Sequence, residues 1–360
     1  MRNSENAIRI NQNDIDSKKT KLKIIELCAG IGAQLRGLQQ TGVFEPEVIA
    51  TSEIDKDAVV SYAAIHCGLT QEMIDAYQDY PSIDEMRDEL TRLNLGYNPE
   101  KDKVYDWYKS GKKFENNIKK YWLACRLSNN LGDVSKIEEL PTSDVWFCSF
   151  PCQSISLAGK LRGIAPDSGT RSSLIWQTIR LLNEAQKTNT LPDYIFLENV
   201  KNLVGKKFIR YFEQFNSLIE EFGYNTSWKV INAKDAGIPQ NRERVFAVYI
   251  RKDIDTGNLE WPIPFDNGLR LKDVLDDRVD ESYYINTPKA AELIQKLIDD
   301  GILSCDNSTD RQTDRQTDRQ TIDLSVKSTK SIEIANCVSA RTDRGISNRQ
   351  AEGSGVCELY

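Results

Sequence analysis

The amino-acid sequence predicts an α/β protein with a mostly parallel, doubly wound sheet. Short apolar runs, expected to be strands, alternate with segments of helical character, which is the pattern of a parallel sheet with crossover helices. A glycine turn at residues 29–33 follows the first apolar run, and an acidic residue, Glu53, follows the second. The succession of strand, glycine loop, helix, strand and acid is typical of the start of a doubly wound sheet.

The predicted elements of the sheet follow one another up to about residue 265. The predicted strands are 23–28, 47–52, 144–148, 193–197, 226–231 and 244–250, and the predicted helices are 34–40, 172–187 and 206–222. This alternation predicts one Rossmann-like domain over residues 21–265, preceded by a polar N-terminal tail over residues 1–20.

A polar segment dotted with aromatic residues separates the second strand from Gly132 and Asp133. It runs from about residue 68 to residue 130 and is mostly helical in pattern. A segment of this length is too long for a crossover connection. We therefore expect a helical insertion between the second and third strands.

Residues 309–320 are three perfect copies of the tetrapeptide Thr-Asp-Arg-Gln. Such a tract buries too little apolar surface to offset its ordering entropy, so a flexible loop is expected. The codons ACA, GAC, AGA and CAG spell this tetrapeptide as a repeated tetranucleotide, ACAG. We hypothesise that the gene carries a slippage-prone repeat, in which gain or loss of one unit shifts the frame and switches the downstream protein off.

Composition and charge narrow the class of protein. The chain has 360 residues, eight cysteines with no C-x-x-C pair, and one histidine. This argues against a disulfide framework, a Cys/His metal site and a triad with a histidine base. The net charge of −7 leaves nucleic acid open as a partner, because local basic faces decide such binding. Without a signal region or a long apolar stretch, the protein is expected to be cytoplasmic, with no membrane partner.

A thiol and a carboxylate follow two of the predicted strands. The apolar run 144–150 breaks at Pro151 and exposes Cys152, and Glu198 directly follows the run 193–197. Because both lie at carboxyl ends of parallel strands, they are expected to meet in the crevice where such sheets bind ligands. Considered without its neighbours, Cys152 could be a buried structural cysteine. The carboxylate at the matching strand end favours a catalytic role for it.

The glycine turn and a charged segment are the other candidate binding elements. The turn lets the backbone approach a ligand, and Glu53 can accept hydrogen bonds from ribose hydroxyls. Its pattern is shorter than that of dinucleotide sites, which favours an adenosine ligand without a pyrophosphate over NAD; a structural tight turn is the alternative. Arg242 and Arg244 share one face of an extended segment. On the functional interpretation they hold phosphates or the catalytic loop. On the structural alternative they are charged residues exposed to solvent at the start of a strand.

With these residues in place, the chain resembles the DNA (cytosine-5) methyltransferase family. The matching motifs are ELCAGIGA, SEID, GDV, SFPCQSISLAGK, LENVKNL and GIPQNRERVF, in family order over about residues 21–250. The long insertion and SGTRSSLIW are most similar to a subgroup that includes CG-specific enzymes. The resemblance implies a Rossmann-like fold, S-adenosylmethionine as cofactor without a metal, double-stranded DNA as substrate, and a restriction-modification or orphan setting.

The resemblance also implies a role for each matched residue. Cys152 would add as a thiolate to carbon 6 of a flipped cytosine, Glu198 would protonate ring nitrogen N3, and Asn199 would fix the loop of Glu198. Arg242 would orient the flipped base, and Arg244 would support the nucleophile loop. The implied cofactor contacts are Ala29, Gly30, Ile31, Gly32, Glu53, Ile54, Asp133, Val134, Pro151 and Leu174, and the implied DNA contacts are Gln153, Ser156 and Gln240.

The sequence departs from the family pattern in two places. Cys28 and Ile54 stand where family members often carry aromatic residues, so weaker packing on the adenine is expected. Residues 266–360 are similar to a partial, smaller target-recognition region, and no Arg-Leu-Gln-Gly-type segment or Gly-Asn motif follows. We therefore expect a C-terminally incomplete chain: a truncated product, a phase-varied frame, or half of a split enzyme with a complementary C-terminal chain as its partner.

Two other functions remain open on the sequence alone. An RNA (tRNA) cytosine-5 methyltransferase shares the same loops, although the long insertion and the arginine-bearing recognition segment favour DNA. A non-catalytic product that binds DNA or a partner chain is the second alternative. A cognate restriction endonuclease is a further expected partner. The DNA target is not encoded in any of these motifs, because base specificity depends on loop side-chain geometry.

Overall fold

The computed structural model describes residues 19–98, 103–108, 112–156, 163–166, 168–274, 288–300, 303–306, 323–326 and 335–336. The chain divides into two compact units by its contacts. The first unit consists of Met1–Lys229 and Val245–Leu259, and the second of Val230–Arg244 and Glu260–Tyr360. The predicted repeat at 309–320 and nearly all of the predicted tail at 1–20 lie outside the described residues.

The main sheet has six strands in the order β2-β1-β3-β4-β7-β5. Its strands are β1 (Thr20–Leu27), β2 (Phe44–Ser52), β3 (Val145–Cys148), β4 (Tyr194–Val200), β5 (Tyr224–Asn232) and β7 (Glu243–Arg251). Strand β1 pairs in parallel with β2 and β3, and β3 pairs in parallel with β4. The predicted α/β class with a doubly wound sheet is confirmed. Because the chain leaves β1 towards β2 and returns on its other side at β3, the switch point of the sheet lies between β1 and β3.

The helices of the first unit lie between the strands as the sequence predicts. They are α1 (Ala33–Gln40), α2 (Lys56–His66), α3 (Gln71–Ala76), α4 (Ile83–Arg92), α5 (Lys112–Leu127), α6 (Ile175–Thr188) and α7 (Ile209–Glu221). The predicted helix 172–187 is divided, since Arg171–Leu174 form a 3-10 turn before α6. Among the described residues, no helix is both long and apolar enough to cross a membrane.

Strand β4 continues further than the sequence predicts. The prediction ends it at Leu197, but the strand runs through Val200 and keeps the period-two alternation of burial to its end. Leu197 and Asn199 are buried, whereas Glu198 is half-buried on the opposite face. The sequence does not reveal this end of the strand because the residues there are polar. Asn199 is buried through hydrogen bonds rather than apolar packing.

The inserted segment has its own apolar core. Met86, Leu90 and Trp107 are completely buried together with side chains of α5, and Val59 and Ala63 of α2 belong to the same cluster. Helix α2 directly follows β2 in the chain, so its packing fixes the insertion to the sheet. The insertion is therefore an extension of the domain rather than a tethered module.

The second unit is held by pairings between distant parts of its chain. The short strand β6 (Gln240–Asn241) pairs in parallel with β10 (Ala335–Asn336), and Ala236 forms a bridge with Phe265. These contacts group Val230–Arg244 with later residues. The domain boundary near residue 265 stays a prediction. The other elements of this unit are α8 (Pro288–Asp299), β8 (Leu303–Asp306) and β9 (Asp323–Val326).

Glu26 is a buried carboxyl on strand β1, which has a neighbouring strand on each side. Its side chain is 1% exposed, and it accepts hydrogen bonds from the Tyr62 hydroxyl at 2.6 Å and the Leu35 backbone N–H at 3.3 Å. Burial raises the pKa of Glu26 to about 7, although both hydrogen bonds act in the opposite direction. In the unfolded chain the carboxyl ionises near its ordinary pKa of about 4.3. The folded protein therefore loses stability as pH rises from about 4 to about 7.

Replacing Glu26 with glutamine is expected to remove this pH dependence. The free energy of unfolding of E26Q, relative to the native chain, should rise by about 2 kcal/mol between pH 5 and pH 8. Urea unfolding at several pH values measures the difference. Glu45→Gln, at an exposed position of β2, is the matched control and should follow the native chain. A constant difference between E26Q and the native chain would contradict a neutral Glu26.

Candidate active site

Strands β1, β2 and β3 end in register at one edge of the sheet, and β4 passes the same level at Leu197 before it ends at Val200. Leu27 pairs with both Ser52 and Cys148, and Cys148 pairs with Leu197. The next residues, Cys28, Glu53, Ser149 and Glu198, therefore start side by side at the carboxyl edge. This edge carries the predicted glycine loop, ribose acid, nucleophile loop and general acid.

The nucleophile loop forms a tight turn that begins at Cys152. The carbonyl of Cys152 accepts hydrogen bonds from the backbone N–H groups of Ile155 at 3.0 Å and Ser156 at 2.8 Å. Cys152 is half-buried, and the next side chain, Gln153, is exposed. The thiol thus stands at the start of a hydrogen-bonded turn instead of within an extended loop.

Ser172 holds the nucleophile loop on both sides of Cys152. Its hydroxyl donates to the carbonyl of Pro151 at 2.7 Å and accepts from the backbone N–H of Ser154 at 3.2 Å. Ser172 is completely buried. Because its partners flank the thiol residue, one hydroxyl fixes the backbone before and after Cys152.

Two asparagines of the β4 segment hold the same loop. The Asn199 amide donates to the carbonyl of Phe150 at 2.9 Å, and its own oxygen accepts from the Val200 N–H at 2.9 Å. The Asn202 amide donates to the carbonyl of Ile155. Glu198 precedes Asn199 directly, so the strand that carries the carboxylate is bonded to the loop that carries the thiol.

Removing the Ser172 hydroxyl is expected to slow catalysis. Ser172→Ala leaves the half-buried Pro151 carbonyl and the buried Ser154 N–H without this partner, at a cost of about 1–3 kcal/mol, and loosens the backbone at Cys152. A displacement of about 1 Å at a reacting group costs up to about a hundredfold in rate. We expect kcat of the reaction that the family resemblance implies to fall by about tenfold to a hundredfold, with little change in the Kd of the implied cofactor.

Ser173→Ala is the matched control for Ser172→Ala. The Ser173 hydroxyl donates only locally, to the Thr170 carbonyl at 2.7 Å, so kcat should change by less than about threefold. Equal rates for the two variants would show that the bridge of Ser172 across Cys152 has no role in positioning.

The glycine loop is bonded to the acid that follows the next strand. Glu53 accepts the backbone N–H of Gly30 at 2.9 Å through one carboxylate oxygen, and those of Ile54 and Asp55 at 2.8 Å through the other. Burial raises the pKa of Glu53, and these three hydrogen bonds oppose the rise. The glycine turn and the acid, which were predicted together as a cofactor site, are thus joined directly.

The back of the glycine loop rests on helix α2. Gly32 has φ of +78°, and a Cβ there would lie 2.7 Å from the rings of Tyr62 and His66. A ring nitrogen of His66 lies 3.1 Å from the carbonyl of Ile31. At Gly30, with φ of +56°, a Cβ would meet nothing within 4 Å. The loop is therefore supported on one side and open on the other.

Asp133, the acidic residue of the predicted GDV turn, is held in place by the helical insertion. Asp133 accepts from the Asn94 side chain at 2.7 Å and from the Ser135 N–H at 2.9 Å. The Asn130 oxygen accepts from the N–H groups of Glu53 at 2.9 Å and Gly132 at 3.1 Å. Asn130 thereby couples the Glu53 segment to the Asp133 turn.

Other thiols near the site stay protonated at neutral pH. Burial raises the pKa of Cys28, and the charges of Glu53 and Asp133 raise it further. Burial also raises the pKa of Cys148 to about 12 and that of Cys125 to about 12. The nucleophile requires a thiolate, so these three cysteines are poor candidates for it.

The remaining predicted site residues fall into two groups. In the first unit, Pro151 and Leu174 are half-buried, and Val134 is buried at the start of a 3-10 turn (Val134–Lys136). In the second unit, the Arg242 N–H donates to the Asn232 side chain at 2.9 Å, and the Arg244 guanidinium donates to the Glu243 carbonyl at 2.8 Å. Gln240 lies in β6 of the second unit.

Sequence reasoning missed the polar residues that support the site. They are Asn94, Asn130, Ser172 and Asn202. Three of them adjoin recognised motifs: Asn130 precedes the GDV turn, Ser172 lies in SGTRSSLIW, and Asn202 ends the ENVKN run. Proximity to a motif was the available signal, but one sequence does not tell a supporting amide from a solvated one.

The fold and the edge loops define the class of the protein. A doubly wound sheet carries a short glycine loop bonded to an acid at the next strand, and a thiol turn stands at the adjacent strand end. This combination is typical of a Rossmann-like methyltransferase, with Cys152 as the candidate thiol.

Comparison with known proteins identifies the family. The model of the C-5 cytosine-specific DNA methylases matches residues 22–92 and 100–353. The chain is 34% identical over 289 residues to the type II methyltransferase M2.ScrFI of Lactococcus lactis subsp. cremoris, covering 80% of this chain and 76% of that protein. It is 33% identical over 279 residues to the orphan methyltransferase M.SssI of Spiroplasma monobiae, covering 76% and 69%. The chain belongs to the C-5 cytosine-specific DNA methylase family.

A solved structure also matches the chain. It is the Entamoeba histolytica methyltransferase EhMeth, with a TM-score of 0.47, 16% identity, and coverage of 79% of this chain and 68% of that chain. The family match settles the enzyme class as DNA (cytosine-5) methyltransferase and does not favour the RNA alternative or the non-catalytic one. Enzymes of this class take the methyl group from S-adenosylmethionine.

Proposed function

We propose that this chain methylates carbon 5 of a cytosine in a specific duplex DNA site and uses Cys152 as a covalent nucleophile. The observation that supports it most is the double fixation of the thiol turn. Ser172 bonds to it from one side, and Asn199 and Asn202 bond to it from the segment that carries Glu198. A structural cysteine needs no such support.

The chemistry begins with addition of the thiolate to the ring. Carbon 5 of cytosine is a weak nucleophile, so the Cys152 sulfur first bonds to carbon 6 of the extruded base. The electrons of the carbon 5–carbon 6 double bond move towards carbon 4, and nitrogen N3 takes a proton from Glu198. The ring is then an enamine that is nucleophilic at carbon 5.

The second half of the reaction restores the ring. Bound S-adenosylmethionine supplies an electrophilic methyl group to carbon 5. Transfer of the carbon 5 proton to solvent water and return of the N3 proton to Glu198 then expel the Cys152 thiolate, which regenerates the double bond and the enzyme. Glu198 must therefore hold a proton at the start of each turnover and regain it at the end.

The glycine loop fits an adenosyl cofactor. The open side at Gly30 leaves room for a ligand against the backbone, which is the use of glycine in such loops. Three hydrogen bonds occupy the Glu53 carboxylate, which has about four acceptor positions, so a ribose hydroxyl can still bind. We assign Ala29–Gly32 to the methionine part, Glu53 to the ribose, and Ile54, Asp133 and Val134 to the adenine.

The remaining assignments follow from the family motifs. Pro151 and Leu174 would line the cofactor pocket. Arg242 would orient the flipped cytosine, and Arg244 would support the nucleophile loop. Gln153, Ser156 and Gln240 would contact DNA, and the exposure of Gln153 is compatible with that role.

Methyl transfer by the purified chain tests the proposed function. The chain is incubated with S-adenosylmethionine labelled in the methyl group and with duplex DNA or tRNA of mixed sequence. We expect label in DNA only, recovered as 5-methylcytosine after digestion. Label in tRNA only, or no label in either, would refute the proposal.

The cellular setting is a separate proposal. Relatives named as type II methyltransferases favour a restriction-modification setting, with a cognate endonuclease as partner and the cytoplasm as the site of action. The repeat at 309–320 further suggests phase-variable expression. Sequencing the gene in many isolates tests this: repeat numbers that differ by single ACAG units support it, and mixed synonymous codons in a constant repeat refute it.

A further inference from the structure

A short basic segment follows the strand of Glu198. Lys201, Lys206, Lys207 and Arg210 are all exposed, and no acidic residue occurs from Val200 to Phe212. The whole chain has a net charge of −7, so this local excess of positive charge runs against the average. Local basic faces of this kind are what bring an acidic protein to DNA.

Buried anchors fix this segment beside the nucleophile loop. Leu203 is 0% exposed and Phe208 is 1% exposed, so the backbone between them is held at both ends. The Asn202 amide bonds to the carbonyl of Ile155, within the turn that begins at Cys152. The cations are therefore presented at the same edge of the sheet as the thiol.

Aromatic side chains support two of the cations. The Arg210 guanidinium lies 4.6 Å from the centre of the Tyr211 ring and donates to its hydroxyl at 2.8 Å. The Lys207 ammonium lies 5.3 Å from the centre of the Phe208 ring. These ring contacts orient the two side chains, and the rings themselves carry no formal charge.

We infer that Lys206, Lys207 and Arg210 form a phosphate-binding surface that holds the DNA backbone beside the extruded cytosine. The inference rests on the proposed function, since it assumes that the base enters the edge at Cys152. Extruding a base costs a few kcal/mol, and phosphate contacts, which are independent of sequence, help to offset this cost and fix the register of the duplex.

The triple variant K206Q/K207Q/R210Q of the full chain tests this surface. Fluorescence anisotropy gives the binding constant for a labelled duplex between about 50 and 200 mM salt. Each lost phosphate contact lowers the slope of log K against log salt by about 0.9, so the slope should fall by about 2 to 3. Binding of target and non-target duplexes should weaken by about the same factor.

Lys19, Lys21 and Lys23 provide a matched control. They are exposed at the amino end of β1, opposite the edge that carries the thiol. K19Q/K21Q/K23Q makes the same change in charge. Its slope of log K against log salt should stay within about 0.9 of the native slope, which is the value of one phosphate contact. An unchanged slope in K206Q/K207Q/R210Q, or equal changes in both variants, would contradict the proposal that this surface binds phosphates.

Methyl transfer by the native chain separates this inference from the proposed function. If the native chain methylates duplex DNA and the salt slope is unchanged in K206Q/K207Q/R210Q, the surface is wrong and the function stands. If the slope falls as expected but the native chain transfers no methyl group, the surface stands as a DNA contact and the proposed function fails. Thermal unfolding of both variants checks that they fold.

Discussion

Replacing Cys152 with serine is expected to reduce methyl transfer by more than about a thousandfold, to the background of the assay. A hydroxyl is far less acidic than a thiol and adds poorly to carbon 6, so the activated ring does not form. The bonds that hold the loop reach backbone atoms of Pro151 and Ser154, and serine preserves them. Duplex binding should therefore stay within about threefold of the native value.

Cys67→Ser is the control for this substitution. Cys67 is half-buried at the end of α2, and the residues assigned to the active site do not include it. This variant should retain activity. Methyl transfer by the Cys152 variant, in a preparation from a host without cytosine methyltransferases, would remove Cys152 from the mechanism.

Replacing Gly132 with alanine is expected to cost about 3 kcal/mol of folding stability and most of the cofactor affinity. Gly132 has φ of +77°, which costs an L-residue about 1 kcal/mol. The new methyl group would overlap the Leu93 carbonyl and lie 2.8 Å from the Leu93 Cα, and relief of such overlap costs about 1–3 kcal/mol. Because the carbonyl of Gly132 also accepts from Ser52 at 2.7 Å, its displacement moves the segments of Glu53 and Asp133.

Gly68→Ala separates backbone strain from the overlap. Gly68 has φ of +71°, and a Cβ there meets nothing within 4 Å. This variant should lose only about 1 kcal/mol and should bind S-adenosylmethionine as the native chain does. Urea unfolding and calorimetric titration measure both quantities. Equal losses in the two variants would show that the contact with Leu93 is unimportant.

The sheet could be predicted because its signals are local. Apolar runs of strand length, a glycine turn and an acid at the next strand end are readable within short windows of sequence. Gly30 and Glu53 were each predicted as cofactor residues from such windows, and the structure joins them by a hydrogen bond. The boundary of β4 was misplaced because a buried polar residue, Asn199, looks like the start of a loop.

The supporting polar contacts could not be predicted because they join distant parts of the chain. Asn130 bonds to Glu53 across 77 positions, and Asn202 bonds to Ile155 across 47. No periodicity relates such pairs, and an asparagine in a single sequence does not reveal its partner. They become visible only when the strands are placed in register.

The division of the chain into two units depends on contacts between distant parts of the chain. Val230–Arg244 is flanked by two strands of the main sheet, and the sequence places it with them. Its pairing with residues near 335 and 265 depends on contacts of the second unit, which local patterns do not encode.

Covalent trapping on modified DNA is the most direct test of the mechanism. A duplex with 5-fluorocytosine in the target site cannot lose a proton from carbon 5 after methyl transfer, so the bond between sulfur and carbon 6 should persist. Incubation with S-adenosylmethionine, digestion and mass spectrometry should find the modified nucleotide on the peptide that contains Cys152. A chain that methylates ordinary duplex DNA but gives no adduct, or an adduct on another residue, would contradict the account.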